Sequence, residues 1–142
     1  DKVVDEELPV ADSKVLDVSE VSEDEDLDSE EEEVVVENKV EFSGSFVDAD
    51  SFHRASGSVE VVEIDGKRYL SLENFEVTNG PDLFVYLSDD DGASNFVNLG
   101  RLKGNIGNQN YEIPDDVDLG KYGKVLIWCR AFGVLFGSAD LS

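Results

Sequence analysis

Short apolar stretches rich in β-branched and aromatic residues recur along the chain after Val34, and residues that favour turns separate them. Asp65-Gly66 is the strongest of these turns, because an Asp-Gly pair between two apolar stretches is typical of a β-hairpin. Asn79-Gly80-Pro81 and Ser88–Gly92 separate later stretches. No stretch shows sustained helical periodicity with caps. A turn roughly every 8 to 12 residues predicts an all-β fold, either an antiparallel β-sandwich or a small barrel.

The predicted strands are Val34–Val36, Val40–Val47, Val59–Ile64, Tyr69–Leu72, Leu83–Leu87, Tyr111–Ile113, Val125–Cys129 and Val134–Phe136. Gly44 is expected to interrupt the second of these, because glycine weakens the interior of a strand. The stretch 100–110, which is rich in Gly and Asn, is predicted to be a connection. A turn or short helix is the prediction for residues 115–122.

Negative charge is concentrated at the start of the chain. The first 41 residues carry 18 acidic and 3 basic side chains, and so hold -15 of the formal net charge of -23. The stretch Ser19–Glu33 has 10 acidic residues and no basic one. Such a stretch cannot bury enough apolar surface to offset the entropy lost on ordering it. We therefore predict an acidic leader at residues 1–39, disordered or extended, followed by a β domain at residues 40–142.

The leader has one plain and one functional interpretation. As a solvating tail it would keep the protein soluble. As a functional segment it would tether the protein to a cell surface, bind divalent cations or adapt the protein to high salt. Short apolar patches between residues 3 and 18 form a strand only against a partner surface, which is either the domain's own edge or that of a neighbouring molecule. A protein partner or self-association through residues 1–39 is therefore predicted.

Composition excludes several classes of function. Binding to nucleic acid needs clustered Lys and Arg, and 11 basic against 34 acidic residues argue against it. The same balance disfavours docking on anionic lipid. No apolar run approaches the roughly 20 residues of a membrane span. One Cys and one His exclude an all-protein zinc site of Cys and His, an internal disulfide and a CxxCH haem attachment.

Cys129 is the main candidate for chemistry. Strand alternation predicts that one face carries Val125, Ile127, Cys129 and Ala131. One interpretation is a buried, inert thiol that packs as a small hydrophobic residue. The other is a redox thiol, or a thiolate ligand of haem or of another metal. Arg130 would favour a thiolate by its charge, but adjacent strand residues point to opposite faces unless a bulge changes the register.

His53, the only histidine, lies among polar residues that favour turns. It is interpreted either as a hydrogen-bonded structural residue or as an axial or metal ligand, together with Cys129 if the fold brings the two together. No serine or acid pairs convincingly with His53 in a triad pattern. We therefore predict no catalytic residue, and the sequence favours a protein that is not an enzyme.

Three consecutive aspartates, Asp89, Asp90 and Asp91, are weak candidates for an irregular calcium site. An EF-hand loop ends on a Glu at its twelfth position, and the twelfth residue counted from Asp89 is Gly100. The EF-hand motif therefore fails. The alternative is that the three carboxylates form a solvated hairpin turn.

Four blocks in sequence order resemble the DM-thirteen domain, a module of animal Skeletor and Knickkopf proteins and of many microbial secreted proteins. They are GSFVDADSFHRASGSVEV at 44–61, DGKRYLSLENFEVTNGPDLFVYLS at 65–88, LGRLKGNIGNQNYEIP at 99–114 and KVLIWCRAFGVLFGSADL at 124–141. The family's cysteine falls on Cys129 and its histidine on His53. Its other matching motif residues are Gly80, Pro81, Asp82, Trp128, Phe132 and Gly137.

The resemblance implies an all-β module of secreted or cell-surface proteins, described as an electron-transfer domain. It also implies that the cysteine works as a bare thiol or binds a prosthetic group such as haem. The first functional hypothesis is therefore a secreted or cell-surface redox module centred on Cys129, assisted by His53. The alternative is a structural or adhesive cell-surface module, not an enzyme, that assembles through its N-terminal segment or through divalent cations such as calcium. Composition favours the alternative and the resemblance favours the first hypothesis.

Overall fold

A computed structural model of the chain describes residues 1–9 and 39–142. Within these residues every regular element is a β-strand, which confirms the predicted all-β class. No helix in this part of the chain is long and apolar enough to cross a membrane. The nine strands are β1 Val3–Asp5, β2 Lys39–Asp48, β3 Ala55–Ile64, β4 Lys67–Val77, β5 Leu83–Ser88, β6 Phe96–Arg101, β7 Ile106–Ile113, β8 Lys124–Cys129 and β9 Val134–Asp140.

Three predictions lie outside the described residues. They are the strand Val34–Val36, the acidic stretch Ser19–Glu33 and the apolar patches between Val10 and Val18. The division of the chain into a leader and a domain at residue 39 likewise stays a prediction.

The nine strands form one mixed sheet in the order β1-β7-β4-β3-β2-β9-β8-β5-β6. All neighbours are antiparallel except β1, which runs parallel to β7. The sheet curls into a half-barrel because β2 changes partner along its length. Its residues 39–45 pair with β3, and its residues 46–48 pair with β9. The connection from β6 to β7 also contacts β4, since the Val77 N–H donates to the Asn105 carbonyl.

The curl encloses one hydrophobic core between the two halves of the sheet. The half made of β7, β4, β3 and β2 contributes inner-face side chains that include Val59, Val61, Leu70, Leu72 and Phe75, and the half made of β9, β8, β5 and β6 contributes Val85, Leu87, Val125 and Ile127. None of these nine side chains is more than 1% exposed. Burying one such side chain fully stabilises the fold by about 1.5 to 3 kcal/mol. Contact between the two inner faces is therefore the main source of stability.

The Asp65-Gly66 turn joins β3 to β4 as predicted. Both residues have positive φ, 53° at Asp65 and 82° at Gly66, and Ile64 pairs with Lys67 across the turn. Two consecutive positive φ angles give the turn the twist that antiparallel strands need.

Gly44 does not interrupt β2, contrary to the prediction. A Cβ at this position would overlap the carbonyl oxygen of Asp140, where the end of β9 passes close to β2. Beyond that point, Ser43 and Ser142 exchange two main-chain hydrogen bonds. Glycine is therefore needed at position 44 because the backbones of β2 and the end of β9 approach closely there. The local sequence around Gly44 does not reveal this long-range contact.

The prediction of a connection over residues 100–110 is also wrong. Strand β6 extends to Arg101 and β7 begins at Ile106, so only residues 102–105 connect them. The start of β7 is polar because its asparagines bind the N-terminal residues, so composition alone indicates a loop here. Residues 115–122 were predicted to form a turn or a short helix, and the structure has turns and no helix there.

Strand β1 lies on the domain's own edge. Val4 is in register with Gly107 of β7. Gly107 has φ of 116°, and a Cβ there would overlap the Val4 carbonyl oxygen. The absence of a side chain at Gly107 is therefore what lets β1 approach β7.

We expect Gly107→Ala to displace β1. Gly66→Ala is the matched control, because Gly66 also has positive φ but has nothing within 4 Å of the added Cβ. Backbone strain should lower the free energy of unfolding of both variants by about 1 to 2 kcal/mol. Only Gly107→Ala should speed hydrogen exchange at the Glu6 N–H, which donates to the Asn108 carbonyl. Equal exchange rates at Glu6 in the two variants would contradict the role of Gly107.

Candidate functional site

Cys129 is the last residue of β8 and faces the hydrophobic core. Its side chain is 0% exposed and is a free thiol. It belongs to the same core cluster as Val125 and Ile127, as strand alternation predicts. Ala131 departs from that prediction, because the strand ends at Cys129 and Ala131 is exposed in the following turn. The Gly133 N–H closes this turn by donating to the Cys129 carbonyl at 2.9 Å.

Arg130 does not serve as a cation beside the thiol. Its guanidinium lies over the Phe84 ring, 4.3 Å from the ring centroid, and its Nε is 3.5 Å from Oδ2 of Asp82. Arg101 contacts the same two residues, at 4.6 Å from the Phe84 centroid and 3.0 Å from Oδ1 of Asp82. Asp82, which follows the predicted Asn79-Gly80-Pro81 turn, therefore holds two arginines on the outer face of the sheet, opposite the face that carries Cys129.

His53 lies in the loop between β2 and β3. Its Nδ1 is 2.9 Å from Oδ1 and 3.0 Å from Oδ2 of Asp50, and its ring centroid is 4.2 Å from that of Phe136. The hydrogen bond from His53, followed by main-chain hydrogen bonds, lowers the pKa of Asp50. Phe136 belongs to the core cluster that contains Cys129. His53 therefore covers the edge of the core in which the thiol is enclosed, and the contacts of its ring are with Asp50 and Phe136.

The motif glycines leave room for close packing around Phe136. A Cβ on Gly80 would lie 2.8 Å from a ring carbon of Phe136. A Cβ on Gly137 would overlap the Cβ of Ala55, at the end of the loop that carries His53. Pro81 follows Gly80 and is exposed, and its ring fixes φ in the turn that leads to β5. The two motif glycines therefore have a structural role, because Gly80 lets its turn pack on Phe136 and Gly137 lets β9 pack on Ala55.

A cluster of aromatic side chains on the outer face of β5, β6 and β8 was missed by the sequence analysis. We call it the outer aromatic face, and its members are Phe84, Tyr86, Phe96 and Trp128. The Tyr86 ring stacks on Phe96 at 4.1 Å and lies 6.3 Å from Trp128, centroid to centroid. Burial raises the pKa of Tyr86, so its phenol stays protonated. The alternation of Phe84 and Tyr86 along β5 is the signal that could have revealed this face.

Phe132, the remaining motif residue, lies at the tip of the turn between β8 and β9. Its side chain is 69% exposed. It therefore contributes little to the core and is available for contact with another molecule.

The three aspartates of the acidic turn point to separate partners. Asp89 accepts a hydrogen bond from the side chain of Asn95. Asp90 accepts main-chain hydrogen bonds within its own turn. Oδ1 of Asp91 lies 3.7 Å from Nζ of Lys124. Oδ1 of Asp89 is buried and has no hydrogen-bond partner in the described chain. One such oxygen is far from the six to eight that calcium takes. No group of three or more His, Cys, Asp or Glu side chains converges among residues 1–9 and 39–142, so the three aspartates do not fit calcium.

Haem fits the described residues no better. A ligating side chain must face a cavity that holds the group, and the Cys129 sulfur is enclosed by the core. Two clefts open on the surface. One of about 360 Å³ is lined by residues that include Arg54 and Glu76, and one of about 210 Å³ is lined by residues that include Pro81 and Arg101. Neither Cys129 nor His53 lines these two clefts.

These features define a small all-β module with one enclosed thiol, a histidine over the edge of its core and an aromatic outer face. Residues 45–141 match the family model described as electron transfer DM13, about two thirds of the chain. The chain belongs to this family, which confirms the resemblance in its sequence. Comparisons with curated proteins and with solved structures gave no match.

We expect Cys129→Ser to lower the free energy of unfolding by about 1 to 3 kcal/mol, because it buries a hydroxyl among aliphatic side chains. Ala131→Ser is the matched control. It adds a hydroxyl two residues further on at an exposed position, where a change within about 0.5 kcal/mol is expected. Chemical denaturation of both variants measures the difference. Equal stability of Cys129→Ser and the native chain would contradict the burial of the thiol.

Proposed function

We propose that the protein is an electron-transfer module that works outside the cell or at its surface, with Cys129 as its redox group. Membership of the electron transfer DM13 family is the observation that carries the proposal. Cys129 is the single cysteine, and the sequence contains no Met. Redox chemistry at sulfur in this sequence therefore has one location.

The chemistry follows from the state of the thiol. Oxidation of Cys129 to a sulfenic acid takes an oxygen from water and releases two protons and two electrons, which an electron acceptor must take up. The sulfur is enclosed, so this step requires the turn formed by residues 130–133 to open. Trp128 precedes Cys129 and belongs to the outer aromatic face, whose exposed member Phe96 offers a redox partner an apolar contact on the opposite side of the sheet.

A second candidate is a structural or adhesive surface module that assembles through its N-terminal segment. The observation that favours it is the docking of residues 1–9 along β7, where main-chain pairing and side-chain hydrogen bonds combine. The enclosed thiol agrees with this role, because a buried cysteine is protected from oxidation outside the cell.

The redox proposal predicts a reversible redox couple for the full chain. Potentiometric titration should detect it in the native protein and in Ala131→Ser, and it should be absent from Cys129→Ala. Labelling with a thiol reagent supplies an independent measurement on the unmodified chain. A native protein without a couple, whose thiol reacts only after denaturation, would exclude this function.

The assembly proposal predicts that the full chain self-associates and that deleting residues 1–38 abolishes this association. Sedimentation velocity at several protein concentrations measures both states. The deletion leaves the chain from Lys39 onward unchanged, so a circular dichroism spectrum of a β protein serves as the control for folding. An unchanged oligomeric state would exclude assembly through this segment.

A further inference from the structure

We propose that residues 1–9, the N-terminal segment, are exchanged between two copies of this chain, so that β1 of each copy pairs with β7 of the other. The inference rests on the second proposed function, assembly through this segment, and identifies the partner as a second copy of the chain.

The edge of β7 is built to receive this segment. Three asparagines bind the segment through their side chains. Asn105 Oδ1 accepts from the Lys2 N–H at 2.7 Å. Asn108 Nδ2 donates to Asp5 Oδ1 at 3.3 Å, and Asn110 Nδ2 donates to the Glu7 carbonyl at 3.0 Å. Asn105 is only 5% exposed. Its Nδ2 also donates to the Val77 carbonyl, which holds the amide in the orientation that accepts from the Lys2 N–H, so the edge is prepared to bind an equivalent segment.

Side-chain contacts make the edge specific for this sequence. The Glu6 carboxylate accepts hydrogen bonds from Lys103 Nζ at 2.9 and 3.1 Å and from the Asn110 N–H at 3.0 Å. Leu8 packs against the small apolar cluster of Val62 and Ile64, which is separate from the main core. A second copy of the chain supplies the same contacts at the same positions, and no other surface needs to change.

The connection between the segment and the domain is longer than docking within one molecule needs. Leu8 packs against the cluster of Val62 and Ile64 near the end of β3, and Lys39, where β2 begins, pairs with Glu63 of the same strand. Both ends of the connection therefore lie at one end of β3. The connection comprises the 29 residues from 10 to 38, and an extended chain of that length reaches up to about 100 Å. It can therefore carry the segment to a neighbouring molecule.

The composition of the connection sets the conditions for exchange. Residues 10–38 contain 13 acidic residues and one basic residue, and the whole chain carries -23. Repulsion between copies opposes exchange at low ionic strength, and salt screens this repulsion.

Protein concentration also decides between the two arrangements. Docking within one molecule is favoured in dilute solution, and exchange is favoured in concentrated solution. The exchanged dimer is closed by a two-fold axis, because each copy gives one segment and receives one.

A cysteine pair that forms only between copies tests the exchange. Val3 and Ile106 are register partners in the β1–β7 pair. One preparation of the full chain carries Val3→Cys and a second carries Ile106→Cys, so a disulfide between these positions requires two molecules. The preparations are mixed at high protein concentration and at high salt, then oxidised. Mass spectrometry of the linked peptides distinguishes this disulfide from any between identical positions.

In the control, a preparation that carries Val47→Cys instead of Val3→Cys is mixed with the Ile106→Cys preparation. Val47 is 57% exposed and Val3 is 68% exposed, but Val47 lies outside the segment. Exchange should give about tenfold more linked heterodimer for Val3→Cys than for Val47→Cys, because only a register pair holds both sulfurs at disulfide distance. Adding Gly107→Ala to the Ile106→Cys chain should remove the excess. If Ile106→Cys does not fold, the register partners Asp5 and Asn108 give the same measurement.

The outcomes separate this inference from the function on which it rests. A heterodimer yield equal to that of the Val47→Cys control overturns exchange. If the full chain is nevertheless oligomeric by sedimentation velocity, and deletion of residues 1–38 abolishes the oligomer, assembly stands without exchange. A full chain that stays monomeric at high concentration and high salt overturns both.

Discussion

The contact between the inner faces of the two halves of the sheet is the interaction on which the rest of the structure depends. A flat sheet of these strands would leave side chains such as Val61 and Ile127 in water on one face. Curling lets each half cover the other, and it requires one strand to belong to both halves. Strand β2 meets this requirement by pairing first with β3 and then with β9. The loop after β2 is thereby carried to the edge of the core, where His53 packs on Phe136.

The same contact gives β8 two chemically different faces. On the inner face, Cys129 shares the core with aliphatic side chains, which enclose its sulfur. On the outer face, Trp128 and Arg130 belong to a surface of aromatic rings and guanidinium groups. Any redox role of the sulfur is therefore coupled to local opening of the turn that follows it, whereas Phe96, the most exposed member of the outer aromatic face, is within reach of a partner in the closed fold.

Local patterns in the sequence were sufficient for the features that depend on neighbouring residues. The Asp65-Gly66 turn follows from the turn preference of that pair, and the inward position of Cys129 follows from alternation along one strand. The position of Gly44 beside Asp140 and the pairing of Asp82 with two arginines join residues far apart in sequence, so no local pattern reports them. The start of β7 was mistaken for a loop because its asparagines satisfy the N-terminal segment across the sheet edge rather than turns of their own.

The N-terminal segment shows how a strongly acidic chain binds part of itself. Basic residues are scarce, with 11 against 34 acidic ones, and one of them, Lys103, contacts the segment through Glu6. Asn105 just before β7, and Asn108 and Asn110 within it, supply further side-chain contacts, and neutral amides donate and accept hydrogen bonds without adding to the charge. Docking at the edge is therefore less sensitive to salt than the approach of two copies, which the net charge opposes. The docking edge and the turn after Cys129 are formed by different strands, so assembly and redox chemistry are physically compatible in one molecule.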